Sequence, residues 1–136
     1  MSPIRVTPVI GEVRGVAPSP FVGPVNHTVG VLVTPSTFTA AEIDEFGYLK
    51  PAIPLGRDGT LMGLSDMLYG VTVEHVKILD DNLPATIAAG TTPVEVAVAN
   101  IAALNRDAAE DILGRAYTAD ELAAFDAAGS TVKLYF

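Results

Sequence analysis

The chain contains no cysteine, which excludes disulfides and thiolate metal sites. That fits folding in a reducing cytoplasm. Histidine is nearly absent too: His27 and His75 are the two present, and their separation offers neither HxxxH nor HxH ligand spacing. Basic residues are scarce, with 8 Lys and Arg against 16 Asp and Glu and a formal net charge of −8. Neutralising phosphates needs clustered Lys and Arg, so direct binding to nucleic acid is not expected. The same excess argues against an anionic membrane surface as partner. No apolar run approaches the roughly 18 residues of a membrane-spanning helix. The first residues lack the basic-then-apolar layout of a signal peptide. Asn26-His27-Thr28 therefore reads as a chance match to the glycosylation pattern.

What is present divides unevenly along the 136 residues. Residues 1–26, "MSPIRVTPVIGEVRGVAPSPFVGPVN", hold five of the ten prolines and carry charge only at Arg5, Glu12 and Arg14. Their valines and isoleucines keep no period that survives the prolines, so an extended Pro-rich N-terminal arm is expected. Residues 27–136 carry the acidic excess and form the body. At 49% hydrophobic residues overall, that body has the apolar content to fold as one domain.

Within the body, "VGVLVT" (Val29 to Thr34) puts Val29, Val31 and Val33 on one face of a strand. Thr39 and Glu42 have capping-box spacing, although the apolar spacing beyond them is too short for a helix. "YLKPAIPLGRDGTLMG" reads as short extended pieces joined by a turn at Asp58-Gly59. In "YGVTVEHVKIL" (Tyr69 to Leu79), Val71 and Val73 share one face while Val76 and Ile78 share the other. This change of phase predicts a bulge or sharp bend near Glu74-His75. "DDNLPA" reads as a turn, and "PVEVAVAN" as a half-buried strand with Val94, Val96 and Val98 inward. Two short helices follow. The first has Asn105 as N-cap, Asp107 in its first turn, apolar pairs Ala108/Ile112 and Ala109/Leu113, and Gly114 as its stop. The second has a Thr118–Glu121 capping box, a Leu122/Phe125 stripe and Gly129 as its stop. "STVKLYF" closes the chain as a strand, with Val132, Leu134 and Phe136 alternating and the terminus pinned in a sheet.

The resulting expectation is a β-rich α+β fold. Its body is a small mixed or antiparallel barrel-like or sandwich unit, with two helices before the last strand.

Groupings that could carry chemistry each have a simpler reading. Ser65, Asp66 and His75 supply the letters of a triad without a nucleophile elbow. "GRDGTLMG" is glycine-rich but lacks the Lys-Ser/Thr ending of a phosphate loop; a hairpin turn explains it. Asp44-Glu45 and Asp80-Asp81-Asn82 lack calcium-loop spacing and suit solvated turns. Glu110-Asp111 and Asp120-Glu121 are accounted for as helix polar faces and caps. Met62 and Met67, with Leu61, Leu64 and Leu68, read as core or as a subunit contact. No catalytic residue, metal ligand or cofactor emerges, and an enzyme is not expected.

From Val29 onward the chain resembles the head decoration proteins of tailed bacteriophages, the family of the phage lambda head protein D. The resemblance is carried by "GYLKPAIPLG" (Gly47–Gly56), "YGVTVEHVKIL" (Tyr69–Leu79), "VEVAVANIAALN" (Val94–Asn105) and "YTADELAAFDAAGSTVKLYF" (Tyr117–Phe136). Two departures stand out: family members often have glycine where this chain has Ala52, and again where it has Asn100. The resemblance implies a homotrimer on the outer surface of the expanded virion head, at local threefold positions, clamping the major capsid protein. It implies an N-terminal segment that is loose when free and orders against the shell. In this chain that segment would engage through Ile4, Val6, Val9, Ile10 and Val13 in shallow grooves, with Arg5 and Arg14 meeting acidic groups. Proline-limited entropy and strand addition to a neighbour's sheet edge give this a physical basis. The alternatives are another phage structural role, in a tail or head fibre, and a small trimeric β-rich nucleotide pyrophosphatase.

Overall fold

The structure, a computed structural model, describes residues 19–136. The largest sheet is built from valine alternation. Strand β1 (Thr28–Val33) pairs antiparallel with a later strand, Val94–Ala99, in the register Val29↔Val98, Val31↔Val96 and Val33↔Val94. Cross-strand pairs of β-branched residues pack well on a pleated face, and Val31, Val33, Val96 and Val98 are all buried.

The next elements are short because proline and glycine interrupt them. They are β2 (Tyr48–Leu49), β3 (Pro54–Leu55), β4 (Gly70–Thr72) and β5 (Val76–Lys77). Helix α1 (Pro84–Ala89) precedes β6 (Val94–Ala99) and β7 (Ala102–Asn105). Then come α2 (Arg106–Leu113), α3 (Ala119–Asp126) and β8 (Val132–Tyr135).

The four-stranded antiparallel sheet runs β1-β6-β4-β3. Pro54 sits on its edge strand β3, where a missing N–H leaves no gap in the ladder. Strands β2 and β5 form an antiparallel pair, and β7 and β8 a parallel one. The fold is thus β-rich α+β with mixed pairing, as expected. Among the described residues none of the sheets closes into a barrel.

The change of phase near Glu74-His75 is a bend at which the chain changes sheets: β4 belongs to the large sheet and β5 pairs with β2. Val71 on one side and Ile78 on the other are both buried. The turn at 57–60 also forms, with Gly59 N–H donating to the Gly56 carbonyl at 3.0 Å and Gly56 N–H to the Thr60 carbonyl at 2.9 Å. Gly59 has φ +80°, and a Cβ there would fall 2.0 Å from the Leu32 carbonyl oxygen. The turn therefore lies directly against edge strand β1.

Three α-helices are present among the described residues, one more than expected. Helix α1 begins at the last two residues of the DDNLPA turn and runs on through a stretch to which no element was assigned; Pro84 opens it, where a missing N–H is harmless, and Ile87 anchors it in the core. The other two follow their signals. The Asn105 side chain accepts the Ala108 N–H at 3.0 Å, and Gly114 ends α2 in left-handed backbone at φ +73°. Thr118 and Glu121 form the capping box of α3. That helix ends at Asp126, with extended Ala127 as its cap, so Gly129 turns the loop beyond rather than stopping the helix. The closing strand buries Val132, but Phe136 is 87% exposed.

Candidate functional site

The residues assigned to the arm contacts, Ile4, Arg5, Val6, Val9, Ile10, Val13 and Arg14, lie outside the described residues. Residues 20–22 run beside β7. Asn105 N–H donates to the Pro20 carbonyl and Val22 N–H to the Ala103 carbonyl, each at 2.8 Å, with Phe21 opposite Leu104 in antiparallel sense. Pro20–Val22 thus extends the β7–β8 pair on its β7 side, and Phe21 packs against the core. A few residues later, the His27 ring Nδ1–H donates to Asn100 Oδ1, and the Thr131 hydroxyl donates to the Asn100 carbonyl. Asn100, in the β6–β7 turn, therefore connects the entering chain to the segment before β8.

Beside this entry point lies a groove of about 390 Å³. Leu122 and Asp126 of α3, Lys133 and Tyr135 of β8, Phe136 and Arg106 line it. The Arg106 guanidinium lies 5.1 Å from the centre of the Phe136 ring and also pairs with Glu110 at 3.3 Å. The groove presents aromatic surface between charges of both signs. A second hollow, of about 340 Å³, lies between Phe38 and α1 and is lined by Ser36, Pro84 and Ile87.

A buried polar cluster joins α2, α3 and the 39–42 turn. Arg115 donates from Nη1 and Nη2 to the two oxygens of Glu121 at 2.7 and 3.0 Å, and from Nε to Glu42 at 3.2 Å. Glu42 is 3% exposed and Glu121 1%. Glu42 also accepts the Thr39 N–H at 2.8 Å and its hydroxyl at 2.9 Å. The Thr39–Glu42 spacing therefore closes a turn without starting a helix. The bonds to Glu121 raise the proton affinity of the Arg115 guanidinium further, so the charge is permanent. Lys50 Nζ reaches the same region, donating to the Leu113 carbonyl at 2.6 Å and the Ala41 carbonyl at 3.0 Å. A cation at the α2 C-terminus suits the helix dipole. Every charge in this cluster has a protein partner, so its role is to fix the corner.

Ser65 donates to Asp58 Oδ1 at 2.6 Å, and the Thr60 hydroxyl donates to the same oxygen at 2.8 Å. These bonds, Ser65 first, hold the Asp58 carboxyl below the usual carboxylate range. Ser65 is thereby tied to its own loop rather than to His75, which is exposed. Among the described residues no three His, Cys, Asp or Glu side chains gather to hold a metal ion, and no helix is long and apolar enough to cross a membrane. The 61–68 group divides: Met62 is buried, while Leu64 is 67% and Met67 80% exposed. Phe46, Leu32 and Ile101 are exposed as well.

Comparison with protein-family models, with curated proteins and with solved structures gives no match to this chain.

Proposed function

We propose that the chain is a head decoration protein of a tailed bacteriophage. It binds the outer surface of the expanded shell as a homotrimer and cross-links major capsid subunits. The observation that carries this reading is at Ala52. It is the position at which the resembled family often has glycine, and among the described residues it is the one non-glycine residue with positive φ, at +67°. A glycine-favouring backbone at the aligned position supports the alignment independently of side-chain likeness. The exposed apolar side chains Leu64 and Met67 supply surface for assembly, and each trimer engaging several subunits multiplies modest contacts.

The arm contributes Ile4, Val6, Val9, Ile10 and Val13 to shallow grooves on the shell, and Arg5 and Arg14 to acidic capsid groups. Co-sedimentation with DNA-free shells of the same phage, unexpanded and expanded, tests the proposal. The full chain is compared with a shortened chain that begins at Ser19 and so keeps the Pro20–Val22 pairing. The expected result is binding to expanded shells alone, lost on shortening. Binding that survives shortening moves the contact into the body. Absence of binding to either shell overturns the decoration reading and directs attention to the tail.

A further inference from the structure

Asp58-Gly59 is the one place in the chain where an aspartate or asparagine is followed by glycine. Glycine has no Cβ to shield its own N–H, so this pairing is the most open to isomerisation. In that reaction the Gly59 backbone nitrogen attacks Asp58 Cγ of the protonated carboxyl. The new N–C bond closes a five-membered succinimide, and the carboxyl hydroxyl leaves with the amide proton as water. A second water then opens the ring. Cleavage of the bond from nitrogen to the backbone carbonyl carbon leaves the chain running through Cγ, as isoaspartate. Cleavage of the new bond restores aspartate. Water is lost and regained, so no oxidant or further reactant is needed.

The fold brings these two groups together and restrains both. Asp58 Oδ1 accepts the Thr60 N–H at 3.3 Å, a fold-back that lays the carboxyl over the Gly59 peptide. The same oxygen accepts the Ser65 and Thr60 hydroxyls at 2.6 and 2.8 Å. Three donors on one oxygen favour the carboxylate over the acid, and the carboxylate is the poor electrophile. The nucleophile is engaged as well, since Gly59 N–H donates to the Gly56 carbonyl at 3.0 Å. Ser65 reaches Asp58 across Gly56, where a Cβ would fall 2.1 Å from Ser65 Oγ. Its own N–H donates to the Leu61 carbonyl at 3.0 Å, which holds the hydroxyl in place. Asp58 is exposed, so water has access to open the ring.

We infer that Asp58-Gly59 is a site of spontaneous isoaspartate formation, which the Ser65 and Thr60 hydroxyls keep closed in the folded protein. The reaction runs when Ser65 leaves the turn, and its product no longer fits against β1. Isoaspartate adds a methylene to the backbone beside Gly59, where a Cβ would already lie 2.0 Å from the Leu32 carbonyl oxygen. The modification therefore parts the turn from edge strand β1. None of this depends on capsid binding.

The experiment incubates the full chain in oxygen-18 water, folded at neutral pH and unfolded in urea. Each passage through the succinimide leaves one labelled oxygen on residue 58, read by fragmentation mass spectrometry. Asp66, exposed and followed by methionine, is the internal control. The expected result is slower labelling of residue 58 in the folded chain than in the unfolded one. Ser65→Ala should raise the folded rate about tenfold, the equilibrium factor of one hydrogen bond to a charged group, and leave the unfolded rate unchanged. Chains carrying isoaspartate should exchange the Gly56 and Gly59 amides faster than chains carrying aspartate; equal exchange overturns the parting from β1. Equal folded rates for the native chain and Ser65→Ala overturn the proposal, as does a folded native rate that matches the unfolded one. Acceleration shared by Asp66 reports a general loosening of the fold and overturns it too.

Discussion

The Tyr117 phenol donates a 2.7 Å hydrogen bond to the carbonyl of Ala52. It thereby locks the α2–α3 corner onto the one described non-glycine residue held in left-handed backbone. Ala52 is fully buried, its N–H donates to the Thr72 carbonyl at 2.8 Å, and the Tyr117 ring meets Phe125 edge-on at 5.1 Å. Both backbone groups of Ala52 are satisfied, so its strain is held by bonds from two directions.

Replacing Ala52 with glycine should therefore stabilise the protein slightly. Relief of left-handed backbone is worth roughly 1–2 kcal/mol. Loss of a buried methyl and the greater unfolded-state freedom of glycine offset most of it. The expected net gain is about 0.5 kcal/mol, read as a higher urea midpoint. Ala52→Val should lower the midpoint sharply, because a β-branched side chain is a poor occupant of left-handed backbone.

Arg115 is the residue whose loss should cost most outside the apolar core. Removing it leaves the Glu42 and Glu121 carboxylates, both buried, without their shared cation. Breaking a buried pair in this way costs about 3–5 kcal/mol. Arg115→Met should lower the unfolding free energy by that amount, read as a lower urea midpoint. Arg115→Lys should recover only part, because one ammonium cannot reproduce the fork on Glu121 together with the bond to Glu42.

Tyr117 gives the fold a dependence on alkaline pH. Its pKa is pushed above the usual phenol range, by burial first and then by the Glu121 and Glu110 carboxylates, with Arg115 opposing. A folded-state pKa above the unfolded value means full stability below the unfolded pKa of about 10. That stability is lost as pH rises toward the folded value, at up to about 1.4 kcal/mol per pH unit. Urea midpoints measured from pH 9 upward should fall more steeply for the native chain than for Tyr117→Phe. The substituted chain should itself be about 1 kcal/mol less stable at neutral pH, for want of the bond to Ala52.

Local signals made the helices after Asn105 and the valine strands legible, because caps and alternation act over a few residues. Helix α1 was hidden: its six residues have one apolar anchor, Ile87, and no side-chain cap. Strand β7 was hidden by Asn105, which both ends it and caps α2. The bend near Glu74 was visible as a change of phase, but which sheet each half joins depends on partners remote in sequence. The Arg115 cluster was illegible for the same reason. Its short-range half, the Thr118–Glu121 box, could be read, whereas Glu42 comes from a turn 73 residues before Arg115 in the sequence. The groove needed Arg106, α3 and β8 to converge, and no local pattern announces that.

The exposed apolar pair Leu64 and Met67 separates folding from assembly. Both side chains project from the 61–68 loop, while Met62 in the same loop is buried. Surface substitutions away from packed features usually change stability by less than about 0.5 kcal/mol. Leu64→Lys with Met67→Lys should therefore leave the urea midpoint of the body nearly unchanged. If this loop forms the contact between copies in the proposed trimer, two charges placed there should shift the protein to monomer in sedimentation velocity. Binding to expanded shells should weaken with it, since a monomer loses the multivalent gain. A trimer that persists with both lysines in place would assign the contact between copies to another face, with the exposed Leu32 on β1 as the next position to charge.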